Sequence, residues 1–595
     1  MLTVDPGTRH IPLPESTDWY TPDEHLRWLA RRTVGEAVWP VAEAALQDAG
    51  RIVPQRIEPL AAIADQHPAV LHQYNPRGER VDEVEFHPAY HELLDTWTRF
   101  GFARAAFRDG WRGLPGRAPR SLIAALSYLW LQADQAVAGC PGGMIEAMAR
   151  ALERNDPTLA ARFVPRLADD TGNHLTAAMF LTEKAGGSDV GANETVAVRQ
   201  DDGTWRLHGE KWFASCPQSD LALVMARPEG AGPGTRGLGL FLMPRHLEDG
   251  SRNAVVIHRL KDKFGTRGMA SSELGLRGAF AWQVGDIERG MKQMLDMVNL
   301  TRVGIATVTA AVMRRCAHES LAHCAERSTF GRRLETHPLM RDTLAELVVD
   351  SVAGLTAALG VGEALERADA GEPGAEGVLR LLTPLFKMYG CERARISASE
   401  AMEVRGGNGA IEDWPNARIL RDVYIHSIWE GPGNIMALDV LRAISRGAAP
   451  DWLADIERRA EVVMADGPAR PLGAVVLAEL RRVEGGIAAL ASADGDAQQL
   501  PVRRLARRMA ILATGARLSE QAREHAAETG SGRLSWLAAR YLARLGGEDA
   551  VAAVADDVAW LEHADAIFRG GPVPLQLGER AAAEVARAHE LSVPA

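Results

Sequence analysis

Apolar side chains recur at helical spacing through most of this chain and at strand spacing through one stretch of it. In WYTPDEHLRWLARRTVGEAVWPVAEAALQDAG they fall three and four residues apart, the stripe of an amphipathic helix. Gly50 predicts a helix end there. HPAYHELLDTWTRFGFARAAF and SLIAALSYLWLQADQAVAGC repeat the pattern, and the clusters HQYNPRGER and GLPGRAPR separate them as loops. A helical domain is expected over residues 1–168.

The period shortens between 169 and 285. ETVAVRQDDGTWRLHGEKWFAS places β-branched and aromatic residues around DDG, a hairpin signal. DLALVMARPEG, GLGLFLMP and NAVVIHRL read as further strands of a small, mostly antiparallel β-domain. Helical spacing returns from 286. Three long stretches, beginning ERGMKQML, LMRDTLAE and VLRLLTPL, predict a four-helix bundle over 286–446. RGAAPDW marks a boundary, and the Ala/Arg/Leu-rich remainder, 447–595, predicts an additional helical domain with SADGDAQQLP as its main loop. The fold class is mainly α with a central β-domain.

Composition narrows this reading. A chain of 595 residues is too long for one core. Its formal net charge of −11 weighs against nucleic acid as the dominant partner. Cys140, Cys216, Cys316, Cys324 and Cys391 are scattered, odd in number and form no CxxC, which predicts a reducing cytoplasm rather than a disulfide framework or zinc site. MLTVDPGTRHIPLPE lacks the basic and apolar segments of a secretory leader, and no apolar run reaches the length of a membrane span. No HxxxH or Cys/His set points to a metal. His337 and His426 read as structural hydrogen-bonding residues.

Three stretches carry candidate chemistry. In Leu181-Thr182-Glu183-Lys184-Ala185-Gly186-Gly187-Ser188-Asp189-Val190, small and hydroxyl residues let backbone amides approach a ligand, or simply close a glycine turn. Lys211-Trp212-Phe213-Ala214-Ser215 places aromatics and a hydroxyl on one strand, which suits a planar ring or a half-buried sheet. In His426-Ser427-Ile428-Trp429-Glu430-Gly431-Pro432-Gly433-Asn434-Ile435-Met436 a carboxylate sits beside an indole just before a helix start. Burial against Trp429 suits a base working near neutral pH, while a helix N-terminus would equally stabilise the carboxylate.

These stretches, with ERSTFGRRLETHPLM and MEVRGGNGAIEDW, occur in the order found in the acyl-CoA dehydrogenase superfamily, and the chain resembles that family over about residues 20–445. The spellings are closest to its alkylation-response, AidB-like branch. The resemblance implies a helical domain, a β-barrel-like domain and a four-helix bundle, with FAD as cofactor. It implies that Leu181, Thr182, Gly187, Ser188, Phe213, Ala214 and Ser215 line the flavin. Arg327 and Phe330 match residues that hold the adenine diphosphate part from a neighbouring subunit of a dimer or tetramer, and Gly406 and Gly407 match the glycine pair that admits that subunit. Trp429, Gly431 and Asn434 flank the flavin beside Glu430, which matches the base that takes the α-proton of an acyl thioester. The alternative base position of the family falls at about Thr301, which cannot serve, and the adjacent Arg302 is a candidate to tune the carboxylate. Lys184-Ala185-Gly186-Gly187 replaces the commoner Pro-Gly-Ala-Gly, Trp429 the commoner Tyr, and Pro432-Gly433 a Thr-Ser pair, which implies an unusual pocket. The acyl carrier and electron acceptor are not implied.

Two other functions are open at this point. The branch suggests DNA association, with Arg442 at a matching position and Arg503, Arg504, Arg507 and Arg508 as a phosphate-binding stripe. Residues 451–595 carry more acidic than basic residues, which opposes that reading. A flavin dehydrogenase or oxidase of secondary metabolism, acting on a carrier-bound or small substrate, fits the same residues.

Overall fold

The computed structural model describes residues 17–589. The stretch inspected for a secretory leader lies outside the described residues. The chain begins with α1 (Glu24–Val34), α2 (Trp39–Ile52) and α3 (Glu58–Gln66), a hairpin of β1 (Val70–Tyr74) and β2 (Arg80–Glu85), then α4 (Pro88–Phe100), α5 (Phe102–Phe107), α6 (Arg120–Trp130), α7 (Gly143–Asn155) and α8 (Pro157–Leu167). Strands follow: β3 (Ala177–Phe180), β4 (Val196–Arg199), β5 (Trp205–Ser215), β6 (Leu221–Pro228), β7 (Gly239–Pro244), β8 (Val255–Leu260) and β9 (Ser271–Gln283). Then come α9 (Gly290–Glu326), a small hairpin of β10 (Ser328–Thr329) and β11 (Arg332–Arg333), α10 (Pro338–Asp369), α11 (Ala375–Arg405), α12 (Pro415–Ile428) and α13 (Gly433–Ser445). The chain continues with α14 (Ala449–Ala465), α15 (Arg470–Ser492), α16 (Gly495–Thr529), α17 (Arg533–Ala543), α18 (Glu548–Ala555), α19 (Ala564–Arg569) and α20 (Leu575–Ala588).

Two compact units result. The first contains the chain up to Arg51, Arg120–Gln132 and everything from Ile305; the second contains Ile52–Pro119 and Ala133–Gly304.

In the second unit the strands close on themselves. β6 pairs β4, β4 pairs β5, β5 pairs β9, β9 pairs β7, and β7 returns to β6. β3 lies parallel beside β6, and β8 lies antiparallel on β9. Ring closure leaves few free strand edges. Leu207, Leu223, Met225, Leu240, Leu242 and Leu274 fill the interior. The DDG turn joins β4 to β5, in the register Arg199 opposite Trp205.

In the first unit the part of α9 from Ile305 on, α10 and α11 are long core helices, closed by α12 and α13 in tandem. Windows in α9 and α10 are apolar enough to match a membrane span by composition, and 61% and 89% of them are buried inside the protein, which makes them core helices. The later helices pack on the same core. Arg544, which follows the last residue of α17, bonds Asp350 at 2.6 Å and Glu346 at 2.7 Å, both on α10. Arg393 of α11 reaches the same Asp350 at 2.7 Å. Arginines on two sides hold the Asp350 carboxyl below its ordinary value against burial.

Three local expectations differ from the structure. α2 does not end at Gly50 but runs to Ile52. A Cβ at Gly50 would lie 2.3 Å from the Tyr20 Cβ, so close packing rather than termination places the glycine there. HQYNPRGER is not a loop between helices. It forms the end of β1 and the turn into β2, where the Asn75 side chain accepts from the amides of Arg77 and Glu79 at 2.9 and 3.0 Å. SADGDAQQLP is mostly the first turns of α16, and Ala493 and Asp494 alone separate it from α15.

Candidate functional site

The second unit gathers the first two candidate stretches on one side of the barrel. Glu183 and Lys211 are both buried, and the Lys211 Nζ donates to Glu183 Oε1 at 2.5 Å and to the Met225 carbonyl at 2.7 Å. Glu183 also accepts from the Thr195 hydroxyl at 2.5 Å and the Glu194 amide at 2.6 Å. Burial pulls the Lys211 ammonium below its ordinary value, with Glu183 opposing. This pair, absent from the candidate set, welds the two stretches together. Its signal was partly visible: Leu181–Val190 carries carboxylates at Glu183 and Asp189, and Lys211–Ser215 carries a single cation at Lys211.

Main-chain bonds extend the weld. The Trp212 amide donates to the Thr182 carbonyl at 2.9 Å, and the Asn193 amide side chain to the Leu181 carbonyl at 2.7 Å. Glu183 and Gly186 exchange backbone bonds across a tight turn. A Cβ on Gly186 would meet the Asp189 carbonyl at 2.0 Å, so this turn requires glycine. The result presents Thr182 half-buried, Gly187 and Ser188 exposed, and Phe213 at 51% exposure. Ala214 is buried beneath, and the Ser215 hydroxyl pairs with that of Ser271 at 2.9 Å. Lys261 Nζ sits 3.6 Å from the Trp212 ring centroid and 4.6 Å from that of Phe213, so one ammonium lies over both rings.

The first unit holds the third stretch. α12 ends at Ile428 and α13 starts at Gly433, and Glu430 lies in the reversal between them with φ 57°, followed by Gly431 at φ 101°. A non-glycine residue there costs about 1–3 kcal/mol and persists where its surroundings hold it. Pro432, the residue before α13, makes no side-chain cap, so the first amides of that helix project toward the Glu430 segment. Trp429 meets the His426 ring edge-on at 4.9 Å. His426 is fully buried and both its ring nitrogens lack a hydrogen-bond partner, so it is a packing residue and not the hydrogen-bonding one expected. Burial lowers its pKa to about 3, which keeps the ring neutral.

Asn434 opens α13, and its side-chain oxygen accepts from Arg503 of α16 at 2.9 Å. The structure thus joins two residues that the sequence reading gave separate roles. Arg507 bonds Glu392 at 2.9 Å, and Arg508 bonds Glu479 at 2.6 Å. Three of the four arginines in the run are committed within the chain, while Arg504 and Arg442 are exposed.

Arg327 precedes the hairpin after α9, and Phe330 lies within it. Phe330 and Gly331 form its two-residue turn, both at positive φ, 49° and 80°. The phenyl is 98% exposed. His337 braces this hairpin, bonding Arg332 at 3.1 Å and the Thr329 carbonyl at 3.2 Å. Gly406 and Gly407 are exposed at the end of α11, and a Cβ on either would meet nothing within 4 Å. Beneath them Arg405 is buried and bonds Glu319 at 2.6 Å and Asn416 at 2.7 Å. Thr301 and Arg302 lie on α9 within the other unit. The Thr301 hydroxyl is spent on the Val298 carbonyl at 2.9 Å.

Comparison with known proteins gives concordant matches. Residues 11–172 match the adaptive response protein AidB N-terminal domain, 178–279 the acyl-CoA dehydrogenase middle domain, and 288–445 the acyl-CoA dehydrogenase C-terminal domain. The putative acyl-CoA dehydrogenase AidB of Escherichia coli is 38% identical over 402 residues, 65% of this chain and 71% of its own length. The structure of ACDH-11 of Caenorhabditis elegans in complex with C11-CoA superimposes with TM-score 0.82 at 28% identity, covering 91% of this chain and 93% of that one. An acyl-CoA dehydrogenase complexed with FAD from Bacillus anthracis shares the fold, with TM-score 0.71 at 18% identity over 92% of this chain and 95% of its own.

Proposed function

The chain belongs to the acyl-CoA dehydrogenase family, in its AidB-like branch, and from that premise we propose that it is an FAD-dependent oxidoreductase in which Glu430 takes the α-proton of an acyl thioester. The cofactor is FAD. The observation that carries the reading is Glu430 itself: a carboxylate on a left-handed reversal, beside Trp429 and ahead of an uncapped helix start.

The residues fit the cofactor. Phe213 is half-exposed beside the Lys261 ammonium, Thr182, Ser188 and Ser215 carry hydroxyls, and Gly187 is exposed on its turn. Arg327 supplies a cation for a diphosphate, and Gly406 and Gly407 leave room that any side chain would fill. Bound FAD supplies the two-electron acceptor for the hydride that leaves the β-carbon. Glu430 receives the α-proton, and in this reading its own backbone N–H donates to the thioester carbonyl as charge develops there. Trp429 keeps water from the carboxylate and narrows the acyl site.

The exposed Phe330 on its left-handed turn supports a homo-oligomeric working form in which a second copy covers it. The five cysteines are free and buried, which suits a reducing cytoplasm. The commitment of Arg503, Arg507 and Arg508 to internal bonds favours this enzymatic reading over DNA association.

The test is the visible spectrum of the purified protein followed by anaerobic titration with short, branched and aromatic acyl-CoAs. The expected result is an oxidised flavin spectrum that bleaches with at least one acyl chain. A colourless protein that cannot be reconstituted with FAD would remove the assignment.

A further inference from the structure

Glu430 needs something to hold it, because neither flanking helix includes it. Ser427 lies in the last turn of α12, where carbonyls run out of helical donors. Trp429 is extended, Glu430 is left-handed and Gly431 is at φ 101°. Such a reversal stays in one conformation where neighbouring groups over-determine it.

Those groups come from one face of α11. Arg380, Lys387 and Cys391 are spaced by seven and four residues, which stacks them on a single side of a helix. Arg380 makes a two-pronged bond to Asp439 of α13 at 2.6 and 3.1 Å. The Cys391 thiol donates to the His426 carbonyl of α12 at 3.4 Å. Between them Lys387, 1% exposed, donates from one Nζ to the Ser427 carbonyl at 3.4 Å and to the Gly431 carbonyl at 2.5 Å. A single buried ammonium therefore grips the main chain on both sides of Glu430. Charge-assisted bonds of this kind are stronger than neutral ones, and these two fix main-chain carbonyls.

We propose that Lys387 is a positioning residue for Glu430, holding the Trp429–Gly431 reversal so that the carboxylate points at its substrate. This rests on Glu430 being the base. Lys387 itself acts through the backbone.

The experiment uses the full-length, FAD-loaded protein and compares Lys387→Met with Glu430→Gln. Hydrogen exchange of the Trp429–Asn434 amides reads the loop. Anaerobic stopped-flow reduction by an acyl-CoA that bleaches the wild type reads the chemistry. In K387M, exchange in that segment should rise about tenfold or more, with α11 and the barrel unchanged. The limiting reduction rate should fall about 100-fold, with the acyl-CoA dissociation constant within about threefold of wild type. In E430Q, loop exchange should stay at the wild-type level while reduction is lost. If E430Q reduces normally, the base assignment fails, and the K387M exchange still decides the loop claim. Unchanged loop exchange in K387M, a limiting rate within about threefold of wild type, or faster exchange spread evenly over α11–α13 would overturn the proposal. If K387M does not accumulate as folded protein, Lys387→Gln keeps a donor without the charge. It should raise loop exchange by about threefold or more, and unchanged protection there overturns the proposal equally.

Discussion

Two buried lysines anchor the two regions proposed to act on FAD and substrate, and they are used in different ways. Lys211 stands on β5, beside a register shift in its pairing with β9, and meets a carboxylate, Glu183, at 2.5 Å. Lys387 stands on a helix and meets the carbonyls of Ser427 and Gly431. In the barrel, strand pairing already sets the backbone, and the ion pair adds a cross-link between two segments. In the loop no ladder or helix sets the backbone, and the lysine acts on it directly. Each region holds a left-handed residue, Cys216 at φ 58° after β5 and Glu430 at φ 57°, and at Glu430 a lysine grips the carbonyls on both sides.

The comparison can be broken from the barrel side with the largest effect. Glu183→Leu leaves the Lys211 ammonium buried without its carboxylate and should destabilise the protein by about 3–5 kcal/mol in denaturant titrations. The double change with Lys211→Met should recover much of that loss. Equal losses in the single and double variants would show that the pair does not act as a cross-link. Phe330→Ala removes the open phenyl, and if a second copy covers it, FAD affinity should fall about tenfold, or about 1.4 kcal/mol, with smaller oligomers seen by light scattering.

His426 sharpens the loop side through pH. Its pKa falls from 6.5 to about 3 on folding, so the unfolded chain binds the proton first. The stability it contributes is complete above pH 6.5 and is lost as pH falls toward 3. Because its nitrogens have no partners, His426→Leu should leave stability at pH 7 little changed. It should flatten the acid limb by about 1.4 kcal/mol per pH unit in that window. An unaltered acid limb would contradict a buried neutral ring. Arg503→Ala should have the smallest effect, about 0.5–1.5 kcal/mol on stability, because it removes one half-exposed bond to Asn434.

The same contrast sets what could be read from the chain. Strand alternation around DDG and the charges in TEK and KWFAS lie within short windows, so the barrel and the pairing of its two candidate stretches were legible. WEGPGN marked the reversal that carries Glu430. The residue that holds it was not marked, because Lys387 lies far upstream and bonds backbone atoms, which carry no residue identity. Gly50 misled for a related reason: a glycine demanded by the Tyr20 contact has the same letter as one that ends a helix. NPRG was a true turn signal, but its strands β1 and β2 are short and largely exposed, so no apolar alternation announced them. The arginine run looked like a free stripe because its acceptors, Glu392, Glu479 and Asn434, lie on other helices.

The central claim is that Glu430 takes the proton, and the rate of anaerobic flavin bleaching by an acyl-CoA in the Glu430→Gln protein tests it most directly. The account predicts full FAD content, an unchanged acyl-CoA dissociation constant and a reduction rate lower by about 1,000-fold or more. Bleaching at the wild-type rate would contradict it.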